Sequence, residues 1–412
     1  MQAIDAEQRR VRLAIRHGLA RPFDTVEEAA AELVGLHATD PATVYLAARA
    51  RVRDFAHADL ETALYERRSV VRMLGMRRTM FVVPVDLAAV MDEACTKALA
   101  PPQRRRLIAM LEEQGVARDG ARWLRRVERD TMAALHEGGE ATATELTESV
   151  PALGKKLSFG EGKTWGAQVG VSTRVLFLLA TDARIVRGRP RGSWLSSQYR
   201  WAPTDVWLGA PLQTMDHDVA AADLLRRWLH AFGPGSMVDI RWWTGWTARQ
   251  TNAALASLDV AEVALDGGGT GYVMADDAAA LRPPKRWVAF LPSLDPTIMG
   301  WKERDWYLGA HGSAVFDRNG NAGPTIWADG RVIGGWVQTA DGAIATRLLE
   351  QVDRATEQRV RRERDRLAAW LGDARVIPRF RTPLEQELTK EAGRPASPGP
   401  AATRRRRTQP PR

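Results

Sequence analysis

The sequence predicts a mainly α protein with β: three tandem helical motifs, each closed by a short two-stranded hairpin, followed by a C-terminal β-barrel. Three observations carry that reading. Apolar residues recur at helical spacing in groups of three, and each group ends in a short strand-like piece. Beyond Pro283 and Pro284 the helical period gives way to short β-rich runs broken by Gly, Asn and Asp. The chain of 412 residues is 26% charged and 45% apolar, ordinary for a globular protein, and no apolar run approaches the ~20 residues that span a bilayer.

The first group is "AEQRRVRLAIRHG", "TVEEAAAELVGL" and "HADLETALYERR", followed by "VVRMLGMRRTMFVVP". Thr25 with Glu28 spells a capping box that opens the second helix, and two apolar strands flank Gly75 and Arg77-Arg78 as a hairpin would. The second group is "ARWLRRVERDTMAALHEG", "TATELTESVP" and "GVSTRVLFLLATDARIVRG", ending in "RPRGSWLSSQYRW". Thr142 with Glu145 marks another capping box, and Pro151 stops that helix. The third is "AAADLLRRWLHAFG", "SMVDIRWWTG" and "TARQTNAALASL", ending in "VAEVALDGGGTGYVM". Three helices and a two-stranded wing, repeated over 1–98, 99–210 and 211–282, make three tandem winged-helix motifs. In such motifs the last helix enters a major groove while the wing lies on the backbone, although many copies mediate protein contacts alone.

From 283 to 390, "RWVAFLPSLDP", "SAVFDRNGNAGPTIWADGRVIGGWVQT" and "GAIATRLL" read as a small barrel or strongly curved sheet. Asn319-Gly320, Asp329-Gly330 and Asp341-Gly342 supply its turns. A helix from about Gln351 to Leu371 and a last strand "ARVIPRF" complete it. The remainder, 391–412, is rich in Pro, Ala and Arg and is expected to be a disordered Arg-rich tail. From Arg394 onward six arginines and no acid supply six of the nine net positive charges, either as a solvated end or as a nonspecific, salt-sensitive phosphate tether.

The single cysteine, Cys95, forms no internal disulfide and reads as a small buried apolar residue. Seven scattered histidines show no HExxH spacing, so no metal is expected. The N-terminus carries acids and arginines where a secretory signal has an apolar core, which predicts a cytoplasmic protein with no membrane partner; nucleoid association and a monomeric state are separate expectations.

Candidate site residues fall into two sets. His37, Thr39 and Asp40 stand between a helix end and Pro41, either as a cap for the next helix or as a group that holds a substrate. Basic residues crowd the wings: Arg72, Arg77 and Arg78 in the first, and Arg187, Arg189 and Arg191 in the second, with Trp194, Tyr199 and Trp201 interleaved. Arg249 and Gln250, early in the third motif's last helix, sit where a reader touches bases. Trp242, Trp243 and Trp246 are expected in the core. Arg318 and Asn319 of "DRNGN" either grip a phosphate or form a tight turn. Asp295, Lys302, Arg304 and Asp305, beside Trp301 and Trp306, either face a ligand or pair internally. "EGKTW" lacks the spacing of a nucleotide loop, which excludes ATP binding there.

The three winged helices together with "MRRTMFVVP", "LPSLDP", "VFDRNGN" and "DGRVIGGW" resemble the winged-helix family of bacterial alkylpurine DNA glycosylases, the AlkZ and YcaQ type, over about residues 5 to 390. The resemblance implies a C-shaped basic channel closed by a C-terminal β-barrel. It also implies excision of bulky N3- or N7-alkylated purines and crosslinks from double-stranded DNA, without metal or cofactor. The family's Gln-x-Gln or Gln-x-Asp signature falls at His37-Ala38-Thr39, and its His-x-Pro-like wing element falls at "TMFVVP", where Phe81 replaces the histidine and is a candidate DNA contact.

The altered residues can still do this chemistry. An alkylated purine is already cationic and leaves readily, so the protein need only hold a water and stabilise the developing sugar cation. A histidine nitrogen and a threonine hydroxyl reach as the amides would, and an imidazole of ordinary pKa, ~6.5, could act as general base. Asp40 would fix the imidazole or face the sugar cation. No lysine lies close in sequence to this cluster, which favours water over a lyase. The alternative is a non-catalytic winged-helix regulator or damage sensor; a protein-interaction scaffold would show no salt-dependent DNA binding.

Overall fold

The structure, a computed structural model, describes residues 2–159, 167–378 and 381–392. The "EGKTW" run and the Arg-rich tail from Arg394 lie outside the described residues.

The first unit runs β1 (Gln2–Ala3), α1 (Ala6–Arg16), α2 (Val26–Glu32), β2 (Leu36–His37), α3 (Pro41–Arg49), α4 (His57–Glu61), β3 (Val70–Leu74), β4 (Met80–Pro84) and α5 (Val85–Met91). Thr25 caps α2, its Oγ1 accepting from Glu28 N at 3.1 Å. The expected box closes one residue early, because the Glu28 carboxylate accepts from Asp24 N rather than from Thr25 N. The hairpin of β3 and β4 forms around Gly75 as expected. A third strand joins it: Leu36 and His37 pair with Val82 and Phe81, giving the order β2-β4-β3. Two residues are too few to show a strand period, so the sequence gives no sign of β2.

A connecting helix, α6 (Ala100–Glu113), leads to α7 (Gly120–Gly138), α8 (Ala143–Ser149), β5 (Lys156–Phe159), β6 (Ala167–Gly170), α9 (Val171–Thr181), β7 (Ile185–Pro190), β8 (Tyr199–Pro203) and α10 (Thr204–Leu208). Both bonds of the Thr142–Glu145 capping box are present. The helices and the β7–β8 hairpin match expectation; the antiparallel pair β5–β6, inserted before α9, does not. The next unit is α11 (His217–Phe232), α12 (Met237–Thr244), α13 (Ala248–Ala256), β9 (Val260–Ala264) and β10 (Thr270–Met274), again three helices and a hairpin. β1 lies parallel to β9, so the start of the chain completes the sheet of this later unit.

The C-terminal part holds β11 (Val288–Leu291), α14 (Asp305–Leu308), α15 (Gly312–Val315), β12 (Thr325–Ala328), β13 (Arg331–Gln338), β14 (Ile344–Leu348), α16 (Arg354–Leu371) and α17 (Pro383–Ala392). Its four strands form one antiparallel sheet in the order β11-β12-β13-β14, and among the described residues it does not close into the expected barrel. Helices cover it instead, α16 against β11 and α17 against β13 and β14. Asp329-Gly330 and Asp341-Gly342 make its turns as expected, while Asn319-Gly320 turns within the long connection between β11 and β12. The described part of "ARVIPRF" is not a strand, since Pro378 removes a ladder donor, and the unexpected α17 follows.

One buried cluster runs through the first and third units and the C-terminal sheet, whereas α6 to α9 and Ile185 pack around a core of their own. A buried ion pair ties the turn after α3 to the C-terminal part: Arg51 Nη2 and Nη1 donate to Asp295 at 2.8 and 3.0 Å, with neither side chain exposed. Asp239 does the same for α12, accepting from the backbone N of Lys302 and of Glu303 at 2.8 Å. Asp295 therefore pairs internally, one of the two outcomes weighed for it. No helix among the described residues is long and apolar enough to cross a membrane.

Candidate functional site

A tight turn delivers the tripeptide. Val34 and Gly35 both take positive φ, 52° and 106°, between α2 and β2. A Cβ on Gly35 would stand 2.9 Å from a Val83 methyl and 3.1 Å from the Phe81 ring, so only glycine fits. The chain is then fixed against β4: Ala38 N donates to Met80 O at 2.8 Å, and Thr39 Oγ1 accepts from Met80 N at 3.3 Å. Asp40 Oδ1 accepts from Ala42 N at 2.9 Å, with Pro41 in the first turn of α3. Asp40 is thus the helix cap, while His37 and Thr39 line a cleft of about 160 Å³.

His37 is buried, its Nδ1 without a hydrogen-bond partner and its ring 5.2 Å from that of Phe81, its cross-strand neighbour. Burial, and after it the charge of Arg77, pushes the imidazole down to about 3. It is neutral at pH 7, where a general base of ordinary pKa was expected. So weak a base serves better as a hydrogen-bonding group. An orphaned buried nitrogen costs ~1–3 kcal/mol unless a group entering the cleft pairs with it.

Arg77 and Arg78 form the rim. They occupy the turn between β3 and β4 with φ of 55° and 65°, are exposed, and lie over Trp242 and Phe177 at 4.3 and 5.1 Å. Two consecutive left-handed arginines store strain of ~1–2 kcal/mol each. A wider cleft of about 600 Å³ adjoins the narrow one and shares Thr39, Leu294 and Asn321 with it; Asp40, Arg375 and Ile377 face this wider part.

Several expected contacts lie elsewhere. Arg72 is 1% exposed; its Nη1 donates to Ala38 O at 3.3 Å and its guanidinium sits 4.8 Å over Tyr199. All five residues of β3 are buried, so the alternation that would point Arg72 outward is absent. Arg187 is enclosed between the Tyr199 and Trp201 rings, and burial lowers it to about 10. Arg189 pairs with Glu61 at 2.7 Å and covers Tyr65, while Arg191 is exposed beyond β7. Phe81 is 7% exposed, packs its ring beside that of His37 and, like His37, lines the narrow cleft.

Gln250 is the third residue of a capping box, its Oε1 accepting from Thr247 N at 3.0 Å, which occupies the end expected to read bases; Arg249 is exposed. Arg318 and Asn319 are exposed in a turn held by Asp317, which accepts from Asn319 N and Asn321 N at 2.8 Å. That loop carries Asn321 into the cleft. Trp243 and Trp246 are buried as expected, but Trp242 is half-buried under Arg77. Leu294 and Trp242 are cleft residues that the sequence reading missed, whereas Asn321 ends the "DRNGN" run weighed as a phosphate grip; the proline-flanked "LPSLDP" was a signal for Leu294. Among the described residues no group of three or more His, Cys, Asp or Glu is placed to hold a metal ion.

Known proteins resemble the chain in two ways. The family described as DNA glycosylase AlkZ-like matches residues 30–370. The solved structure of Streptomyces sahachiroi DNA glycosylase AlkZ is similar with a TM-score of 0.70 at 19% identity, over 91% of this chain and 99% of that one, which shows a shared fold. No curated protein matches in sequence.

Proposed function

We propose that this chain, which belongs to the AlkZ-like DNA glycosylase family, hydrolyses the N-glycosidic bond of an alkylated purine in duplex DNA, with His37 and Thr39 holding the attacking water. The observation that carries this is a neutral, buried His37 with an orphaned nitrogen, beside the Thr39 hydroxyl in a cleft rimmed by two exposed arginines. The three helix-and-hairpin units are read as winged helices that lay the duplex against this face, with the C-terminal sheet opposite.

The chemistry follows from the charges. A purine alkylated at N3 or N7 is cationic and departs neutral, so no acid is needed to protonate it. A neutral imidazole does not repel that cation, as a protonated one would. Thr39 Oγ1 accepts from Met80 N, which leaves its hydrogen to donate, and the imidazole offers a second point to the same water. The negative charge of Asp40, held at the cap of α3, faces the sugar cation from the wider cleft. Among the described residues no lysine lines either part of the cleft, which supports attack on C1′ by water rather than by an amine, a monofunctional route in which the water's proton leaves to solvent. Arg77, Arg78, Arg191, Arg249 and Arg318 hold phosphates, and one chain acts on one lesion.

A non-catalytic damage sensor is the second reading, favoured by the weak basicity of His37. Incubation with a duplex containing one N7-alkylguanine, and with a panel of bulkier N3 and N7 adducts, separates the two. Release of free base supports the glycosylase, whereas salt-sensitive binding of every adduct with no release supports the sensor.

A further inference from the structure

Backbone strain gathers at the cleft. Eight described non-glycine residues take positive φ, and three of them, Arg77, Arg78 and Leu294, line this one site. Leucine is among the residues least suited to that conformation, at φ 59°. Its surroundings force it. Leu294 N donates to Ala322 O at 3.0 Å, and Pro292 and Pro296 stand on either side. The next residue, Asp295, is locked by the buried Arg51 pair and accepts from Thr297 N at 2.9 Å. Strain this well anchored marks a position where the side chain is needed.

The place it reaches is the junction of the two parts of the cleft. Leu294 lines the narrow part with His37 and the wider part with Asp40, and remains only half-buried. Ile377, 69% exposed, stands on the wider part and presents a second apolar surface there. A protein acting on one nucleotide of a duplex must part it from its stacked neighbours, and apolar side chains inserted at a base step do so.

We propose that Leu294 is a positioning residue that enters the base stack beside the damaged nucleotide and holds it unstacked over His37 and Thr39. This rests on the glycosylase reading for its ligand, damaged duplex, but not on hydrolysis. The test uses a duplex with an uncleavable 2′-fluoro N7-methylguanine and 2-aminopurine as its 3′ neighbour, with the full chain, Leu294→Gly and Leu294→Met. Glycine relieves the backbone and removes the side chain; methionine keeps an apolar one.

Binding of the parent protein is expected to raise 2-aminopurine fluorescence several-fold. Leu294→Gly should lose that rise while binding the duplex at matched salt, and Leu294→Met should retain it. A full rise with Leu294→Gly, or no rise with the parent protein, overturns the proposal. Base release from a cleavable duplex without any fluorescence rise would sink the wedge and leave the glycosylase standing; a rise without release would do the reverse.

Discussion

Burial of His37 makes stability depend on pH in a way that one substitution removes. In the unfolded chain the imidazole has a pKa of ~6.5, whereas in the fold it is lowered to about 3. As pH falls below ~6.5 the unfolded chain takes up a proton that the folded chain refuses. The stability contributed is complete above ~6.5 and drains away toward about 3. With RT of ~0.59 kcal/mol, this group accounts for a loss of ~2 kcal/mol between pH ~7.5 and pH ~5.

Other groups titrate in the same window, His17 and Asp92 with the largest shifts. His17, also lowered to about 3 by burial, adds a loss of the same sign. Asp92, pushed up to about 7 by burial, opposes it. The difference between the parent protein and His37→Gln cancels both. Urea unfolding of each at the two pH values should show the parent losing ~2 kcal/mol more than the variant. Parallel losses would refute the claim that the imidazole is held neutral in the fold.

Asp295→Ala leaves Arg51 charged and buried without its partner, and should cost ~3–5 kcal/mol in urea unfolding; a loss below ~1 kcal/mol would contradict the anchoring role given to the pair. Arg77→Ala and Arg78→Ala should each flatten the slope of log affinity against log salt by about 1, while buried Arg72→Ala leaves the slope alone. Asp40→Asn keeps a competent helix cap but removes the charge, so stability should hold within ~0.5 kcal/mol while base release slows about tenfold. An unchanged release rate would assign Asp40 to the cap alone.

Long amphipathic helices and Asx or Thr caps were readable from the sequence because their signals are local. α7, α11 and α16 lie where the helical period puts them, and Thr142 with Glu145 closes its box. What failed depends on contacts far apart in the chain. β1 finds its partner in β9, 261 residues on (Gln2 with Val263), and nothing in "QA" announces it. The sheet near the C-terminus has barrel-like strands, but α16 and α17 cover its faces and edges in place of further strands.

The same limit shapes the site. His37 and Thr39 were singled out by their place in the tripeptide, and both line the cleft. Arg72, Arg187 and Arg189 carried the same charge signal as Arg77 and Arg191, yet tertiary packing encloses the first two and pairs the third with Glu61. Charge in a sequence does not say which side of a hairpin faces the core. The imidazole's lowered pKa was equally out of reach, since it comes from the whole wall around His37.

The central claim is that His37 positions water for cleavage rather than merely supporting a DNA-binding surface. The most direct measurement is single-turnover release of free N7-alkylguanine from duplex DNA by the parent protein, His37→Gln and His37→Ala, each at saturating protein with DNA affinity measured alongside. Release by the parent, retention of part of the rate by the amide, and loss with alanine at unchanged affinity are the predicted results. Equal release by all three, or none by the parent despite tight binding, would contradict it.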